Sequence, residues 1–206
     1  DYQSQQVSIE IPKIEKDDLI LLGSFYSLNP LTRPTVVRLL EEAQEQGAIV
    51  YYDPNFRANH QQDLIHLMPN MIENFEAASI IRGSNEDFGY IFGLTEADKI
   101  YNEKLKYYGS PFICTTADGE VALRTHTFSK NYPVPRIETV STIGAGDTFN
   151  AGILFGLIHE DVYYDDLATL PEATWDKVVS YAIRFSAQVC QSYQNYVSNE
   201  FAQSVK

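Results

Sequence analysis

Residues 19–23 read LILLG, residues 34–46 read PTVVRLLEEAQEQ, and residues 48–52 read AIVYY. The first and last are apolar runs of strand length with no polar residue to face water, as expected of strands covered on both sides. Between them Val36, Val37, Leu39, Leu40 and Ala43 recur at helical spacing. Glu41, Glu42 and Glu45 take the opposite side, and Gly47 stops the turn. A strand, a crossover helix and a second strand predict a parallel pair.

The rhythm continues outward. Asp53-Pro-Asn-Phe-Arg57 reads as a loop. Residues 64–76 read as a helix despite Pro69, residues 78–83 (ASIIRG) as a third strand, and residues 85–92 as a short helix with Ser84 at its cap. Residues 95–108 read as a longer polar helix capped by Thr95 and stopped by Gly109. PFICTT (111–116) and EVALRT (120–125) flank the turn Ala117-Asp118-Gly119 as a hairpin. An irregular stretch with Pro133 and Pro135 follows, then helices from about Asp147 to His159 and from about Ala173 to Tyr196. The expected class is α/β, a three-layer α/β/α sandwich with a mostly parallel central sheet and a late β-hairpin. In such sheets ligands sit beyond the carboxyl ends of the strands. The loops after Tyr52, Arg82 and Thr116, and before Asp147, are therefore the ones that carry a site.

The 206 residues hold 15 Lys plus Arg against 28 Asp plus Glu, a net charge of −13. That length suits one domain over residues 1–206. The charge excludes a nucleic-acid partner, since a phosphate backbone would be repelled. No apolar run approaches the roughly 18 residues of a membrane span, so no membrane partner is expected. Cys114 and Cys190 lie in apolar segments and form neither a disulfide framework nor a metal-ligand set. A reducing, cytoplasmic compartment is expected.

The segment with the most chemistry is Ser141-Thr-Ile-Gly-Ala-Gly-Asp147-Thr-Phe-Asn-Ala-Gly152. Gly144, Ala145 and Gly146 are small and end where a helix begins. Their backbone N–H groups can converge on one point, where the helix dipole adds positive charge. That makes an anion hole suited to a phosphoryl group in transfer. Asp147 beside it could take the proton of an attacking hydroxyl. A bare Gly-Ala-Gly-Asp is equally an ordinary helix start with an acidic cap. No Gly-Lys-Ser/Thr follows, so this is not a Walker loop.

The whole stretch STIGAGDTFNAGIL resembles the C-terminal signature of the ribokinase-like (PfkB) carbohydrate kinases. Three further landmarks fall in the same order: Asp53-Pro54-Asn55-Phe56-Arg57 after a strand, Ser84-Asn85-Glu86-Asp87 after the next, and the hairpin turn at Ala117-Asp118-Gly119. The resemblance implies an ATP-dependent sugar kinase with a ribokinase-like fold. It implies that Asp147 is the general base and that Gly144, Ala145 and Gly146 form the anion hole, with Arg57 nearby. Asn85, Glu86 and Asp87 would order Mg²⁺, its waters and the phosphates, Glu86 and Asp87 standing nearest the metal. Thr115, Thr116, Ser141 and Thr142 would lie along the nucleotide, and Asp53 and Asn55 on the substrate side.

Some positions depart from the family pattern. Ser141 stands where many members carry an Asp that helps hold a monovalent cation, so potassium activation is expected to be weak. The Thr-x-Gly turn is replaced by Thr115-Thr116-Ala117, and Cys190-Gln-Ser-Tyr stands in place of a Gly-Ala loop near the adenine. Asp-Pro-Asn-x-Arg and Gly23-Ser24-Phe25 look most like fructokinases, making fructose the expected sugar. Alternatives are 2-keto-3-deoxygluconate or another sugar, or a non-catalytic sugar- or nucleotide-binding protein on the same fold. Relatives place several strands and a sugar lid before Leu19, so the chain is expected to be the C-terminal portion of the family domain. An unpaired sheet edge is expected beside residues 19–23, and any homodimer would form through the lid.

Overall fold

The structure is a computed structural model that describes residues 11–116 and 119–205. The strand-like stretch SQQVSIEI, apart from its last residue, and Ala117 and Asp118 of the hairpin turn lie outside the described residues. Strand β1 is Leu19–Gly23, helix α1 Arg33–Gln46 and strand β2 Ile49–Asp53. They are followed by α2 Leu64–Ala77, β3 Ile80–Ser84, α3 Asn85–Phe92 and α4 Ala97–Ile100. Strands β4 Phe112–Thr116, β5 Glu120–Arg124 and β6 Ser129–Pro133 come next. Helices α5 Ala145–His159, α6 Glu172–Cys190 and α7 Asn199–Ser204 complete the described chain.

The sheet has six strands in the order β1-β2-β3-β4-β5-β6. The first four are parallel, and β5 and β6 are added antiparallel. Each parallel crossover steps in the same direction. Because such crossovers are right-handed, helices α1, α2 and α3 fall on one face. There Leu40, Met71, Phe75 and Phe88 pack on Val50, Tyr52, Ile81 and Cys114. The opposite face needs another cover. It comes from later in the chain: Phe149, Ile153 and Leu157 of α5, with Trp175, Val178 and Ala182 of α6, close over Ile49, Tyr51, Ile80, Ile113 and Leu123. The strand residues alternate between these two cores, as the pleat requires. The architecture is thus the three-layer α/β/α sandwich, with a mostly parallel sheet.

Helices α5 and α6 cross closely because two glycines allow it. A Cβ on Gly152 would stand 2.5 Å from Ala182 Cα, and one on Gly156 2.8 Å from Val178 Cα. In α2, Pro69 forfeits a helical hydrogen bond. The buried stripe Leu67, Met71 and Phe75, spaced four apart, keeps the segment helical nonetheless.

Three expectations are corrected. Residues 95–108 are not one helix: α4 is capped at Glu96 rather than Thr95, a π-helical turn spans Tyr101–Leu105, and a 3₁₀ turn at Lys106–Tyr108 ends on Gly109. Ile100, Tyr101 and Leu105 are all buried. The stretch before Pro133 is an edge strand, β6, alternating exposed and half-buried residues, with Pro133 tolerated at an edge. Helix α6 stops at Cys190, and a short α7 follows. At the other side of the sheet, β1 has no partner on its outer edge among the described residues, and Leu21 is 46% exposed.

Candidate active site

The carboxyl ends of β2, β3 and β4 meet the first turn of α5. Ile49, Tyr51 and Ile80 face α5 and α6, so Asp53 and Arg82, two residues further along their strands, project the same way. Arg82 donates from Nη1 to Asp53 Oδ2 at 2.6 Å and from Nη2 to Thr115 Oγ1 at 2.9 Å. Asn150 Nδ2 donates to the same Asp53 oxygen at 2.7 Å, and Tyr51 donates its hydroxyl to Asn150 Oδ1 at 3.1 Å. Asp53 Oδ1 accepts from the Asn55 amide at 3.0 Å, which holds Asn55 in a left-handed conformation with φ 43°. The Arg82 guanidinium also lies 5.3 Å from the Phe149 ring centre.

This network is buried, and its electrostatics follow from that. Burial works against the Arg82 charge, but the adjacent Asp53 carboxylate outweighs it and holds the guanidinium above its ordinary pKa. Burial keeps the Tyr51 hydroxyl protonated through the whole working range. The same effect pushes the Cys114 thiol up to about 12, so it is an inert core residue.

Helix α5 begins at Gly144, which has φ 81°. Its side chain must be hydrogen: a Cβ there would stand 3.0 Å from Asn195 Cβ and 3.2 Å from the Asn195 carbonyl oxygen. The Ala145 amide donates to the Thr142 carbonyl at 3.2 Å, so it is turned into the loop and away from any ligand. The amides of Gly146 and Asp147 have no hydrogen-bond partner among the described residues. Thr148 bonds back to Gly144 and Ala145. Asp147 is exposed on this first turn. Ala145 and Gly146 also line a cavity of about 220 Å³, with Arg82, Thr115, Thr116 and Phe149. A smaller hollow of about 170 Å³ lies at the opposite end of the strands, beside Leu19 and Ile49.

The remaining positions fall as follows. Asp87 is buried in a capping box, its Oδ2 accepting from the Ser84 amide at 2.7 Å and the Ser84 hydroxyl at 2.5 Å. Burial raises its pKa, and the Ser84 bonds oppose that only in part. Glu86 is exposed and accepts from the Tyr90 hydroxyl. Asn85 opens α3. Thr116 bonds across the hairpin to Glu120. The Ser141 hydroxyl accepts from the Ile143 amide, and Thr142 is exposed. Arg57 is exposed, and its guanidinium has neither an ion pair nor a hydrogen bond among the described residues. The structure therefore brings Asp53, Thr115 and the Gly144–Asp147 turn together, and it ties Arg57 to none of them. Two members of the cluster, Arg82 and Asn150, lie outside the sequence-based set. The available signal was a single charge at the end of the apolar run IIRG, next to a strand that ends in Asp53.

No group of three or more His, Cys, Asp or Glu side chains that could hold a metal occurs among the described residues. Of the two acidic residues on the first turn of α3, Asp87 is engaged by Ser84, and Glu86 is exposed beside the Tyr90 hydroxyl.

The sequence matches the pfkB family carbohydrate kinase profile over residues 1–202. The chain belongs to this family. Among relatives of the PfkB chain, probable fructokinase-6 (chloroplastic) of Arabidopsis thaliana is 25% identical over 177 residues, covering 82% of this chain and 44% of the relative. Aminoimidazole riboside kinase of Salmonella typhimurium is 28% identical over 158 residues, covering 72% and 47%. In three dimensions, a double mutant of Vibrio cholerae fructokinase solved with fructose, ADP and potassium ion superposes with a TM-score of 0.78. The match covers 90% of this PfkB chain and 58% of that one at 18% identity, which establishes the ribokinase-like fold alone. The PfkB chain spans about half the length of the curated relatives it matches. No helix among the described residues is long and apolar enough to cross a membrane.

Proposed function

We propose that this chain carries the phosphoryl-transfer site of an ATP-dependent sugar kinase, with fructose as acceptor. The observation that carries the reading is the start of α5. The Gly146 and Asp147 amides have no partners there among the described residues, beside an exposed carboxylate. In this reading the two amides take up the charge that develops on the transferred phosphoryl group, with the helix dipole behind them. The Asp147 carboxylate accepts the proton of the attacking sugar hydroxyl as its oxygen bonds to the γ-phosphorus of ATP and the γ-phosphorus–bridging-oxygen bond breaks to release ADP. Glu86, with Asn85 beside it, would hold a Mg²⁺ ion, and that ion would supply positive charge to offset the phosphate chain. Thr115 and Thr116 border the nucleotide. The protein works in the cytoplasm, and residues 1–206 act as one kinase core, the C-terminal portion of the family domain.

The similarity to an aminoimidazole riboside kinase supports a riboside as the second acceptor class. The test is ADP release with the full chain, ATP and Mg²⁺, against fructose, ribose, aminoimidazole riboside and 2-keto-3-deoxygluconate. Turnover on fructose above the others is expected. ATP binding without turnover on any of them would favour the non-catalytic binding protein instead.

A further inference from the structure

Arg82 stands where β3 should carry an apolar residue, yet it is only 7% exposed. A buried guanidinium close to a helix N-terminus is unfavourable unless negative charge meets it. Asp53 supplies one such charge, but the same carboxylate oxygen is shared with Asn150. A guanidinium has five N–H donors. Two of its three nitrogens, Nη1 and Nη2, bond Asp53 and Thr115, while the buried Nε has no hydrogen-bond partner among the described residues. The group lies beside the Cα of Gly146, whose amide has no partner among the described residues. A Cβ on Gly146 would come within 3.6 Å of Arg82 Nη1 and 3.8 Å of Nη2. Arg82, Thr115 and Gly146 also border one cavity.

We propose that Arg82 is the positioning residue of the phosphoryl-transfer site. It fixes the first turn of α5 against the ends of β3 and β4, and it makes the cavity wall positive for the phosphate chain of a nucleotide. The proposal rests on the kinase reading above, and its site is a polyphosphate subsite rather than a sugar or base subsite. Lysine cannot replace the fork, because a single ammonium cannot span both Asp53 and Thr115 while lying beside Gly146.

The test uses the full chain and two probes, inorganic tripolyphosphate and adenosine, titrated by calorimetry. Arg82→Met alone leaves Asp53 buried and unpaired, and Asp53→Asn alone does the same to Arg82, so the Arg82→Met, Asp53→Asn double variant is compared with wild type. The double variant should lose about 10–100-fold in tripolyphosphate affinity, the range for charge-assisted hydrogen bonds. It should bind adenosine as before, and Arg82→Lys should recover only part of the loss. Hydrogen exchange should quicken at residues 146–150 and nowhere else on α5. Equal tripolyphosphate affinity in the double variant and the wild type would overturn the proposal while leaving the kinase reading intact. A wild-type chain that binds neither probe would overturn both.

Discussion

The α5–α6 crossing can be tested by adding a single methyl group. An alanine at 152 would place its Cβ 2.5 Å from Ala182 Cα, 2.9 Å from Ala182 N and 3.1 Å from the Tyr181 carbonyl oxygen. Carbon atoms in contact sit about 3.5–4.0 Å apart, so the helices must separate by about 1 Å. The neighbours are backbone atoms and cannot swing aside. Such overpacking costs about 1–3 kcal/mol, and the full clash puts Gly152→Ala near the upper end. Replacing glycine by alanine inside a helix returns about 1 kcal/mol. The net loss is about 1–2 kcal/mol, or roughly 2–8 °C in melting temperature for a chain of this size. Gly156→Ala meets Val178 Cα at 2.8 Å, a smaller overlap, and should lose less. Thermal unfolding followed by circular dichroism, with urea midpoints as a check, gives the order wild type, then Gly156→Ala, then Gly152→Ala. A Gly152→Ala protein that melts at or above the wild-type temperature would refute the close crossing.

Asp147→Asn should reduce sugar-dependent ADP release by at least about 10²–10⁴-fold while leaving the melting temperature unchanged, because the side chain is exposed. Turnover near the wild-type rate would remove Asp147 from the chemistry. Burial raises the pKa of Asp87 from its ordinary 3.8. The folded state therefore holds that proton to higher pH than the unfolded chain does. Its contribution to stability is complete below the ordinary value and is lost as pH rises through the raised one. Urea midpoints from pH 3 upward should show this decline in wild type and a flatter profile in Asp87→Asn; parallel profiles would contradict the assignment. Replacing Na⁺ by K⁺ at fixed ionic strength should change turnover little, since Ser141 offers a hydroxyl already used by the Ile143 amide; strong stimulation by K⁺ would refute this.

What the sequence made legible depends on how local the signal was. Gly47, Gly93 and Gly109 all adopt left-handed conformations at helix ends. Ser84 caps α3 as its spacing with Asp87 suggests. These features act within four residues, and so they can be read directly. β6 escaped because SKNYP is polar on its exposed side and ends in proline, while its strand character comes from pairing with β5. The break at Tyr101 escaped because no Gly or Pro marks it: the π-helical turn runs through YNEKL, residues that a regular helix takes equally well. Arg82 and Asn150 escaped for a longer-range reason. Asn150 meets Asp53 across 97 positions of chain, and each residue alone looks like an ordinary polar substitution in an apolar run. The Ala145 amide is the opposite case. The motif suggests three converging donors, and the local turn onto Thr142 removes one of them.

The order of strands in the sheet equals their order along the chain, and this bears on how the molecule is made. The α1–α3 side and the hairpin assemble from neighbours in sequence, with little loop-closure entropy to overcome, and such contacts form early. The α5–α6 side has to wait for residues 145–190. Until they dock, Ile49, Tyr51 and Ile80 remain bare and Arg82 has only part of its surroundings. In pulse-labelled hydrogen exchange, β2 and β3 should gain protection before α5 does. Simultaneous protection would show one concerted step. During synthesis, a ribosome halted just short of Gly144 would therefore display half a hydrophobic core and none of the amides at the start of α5.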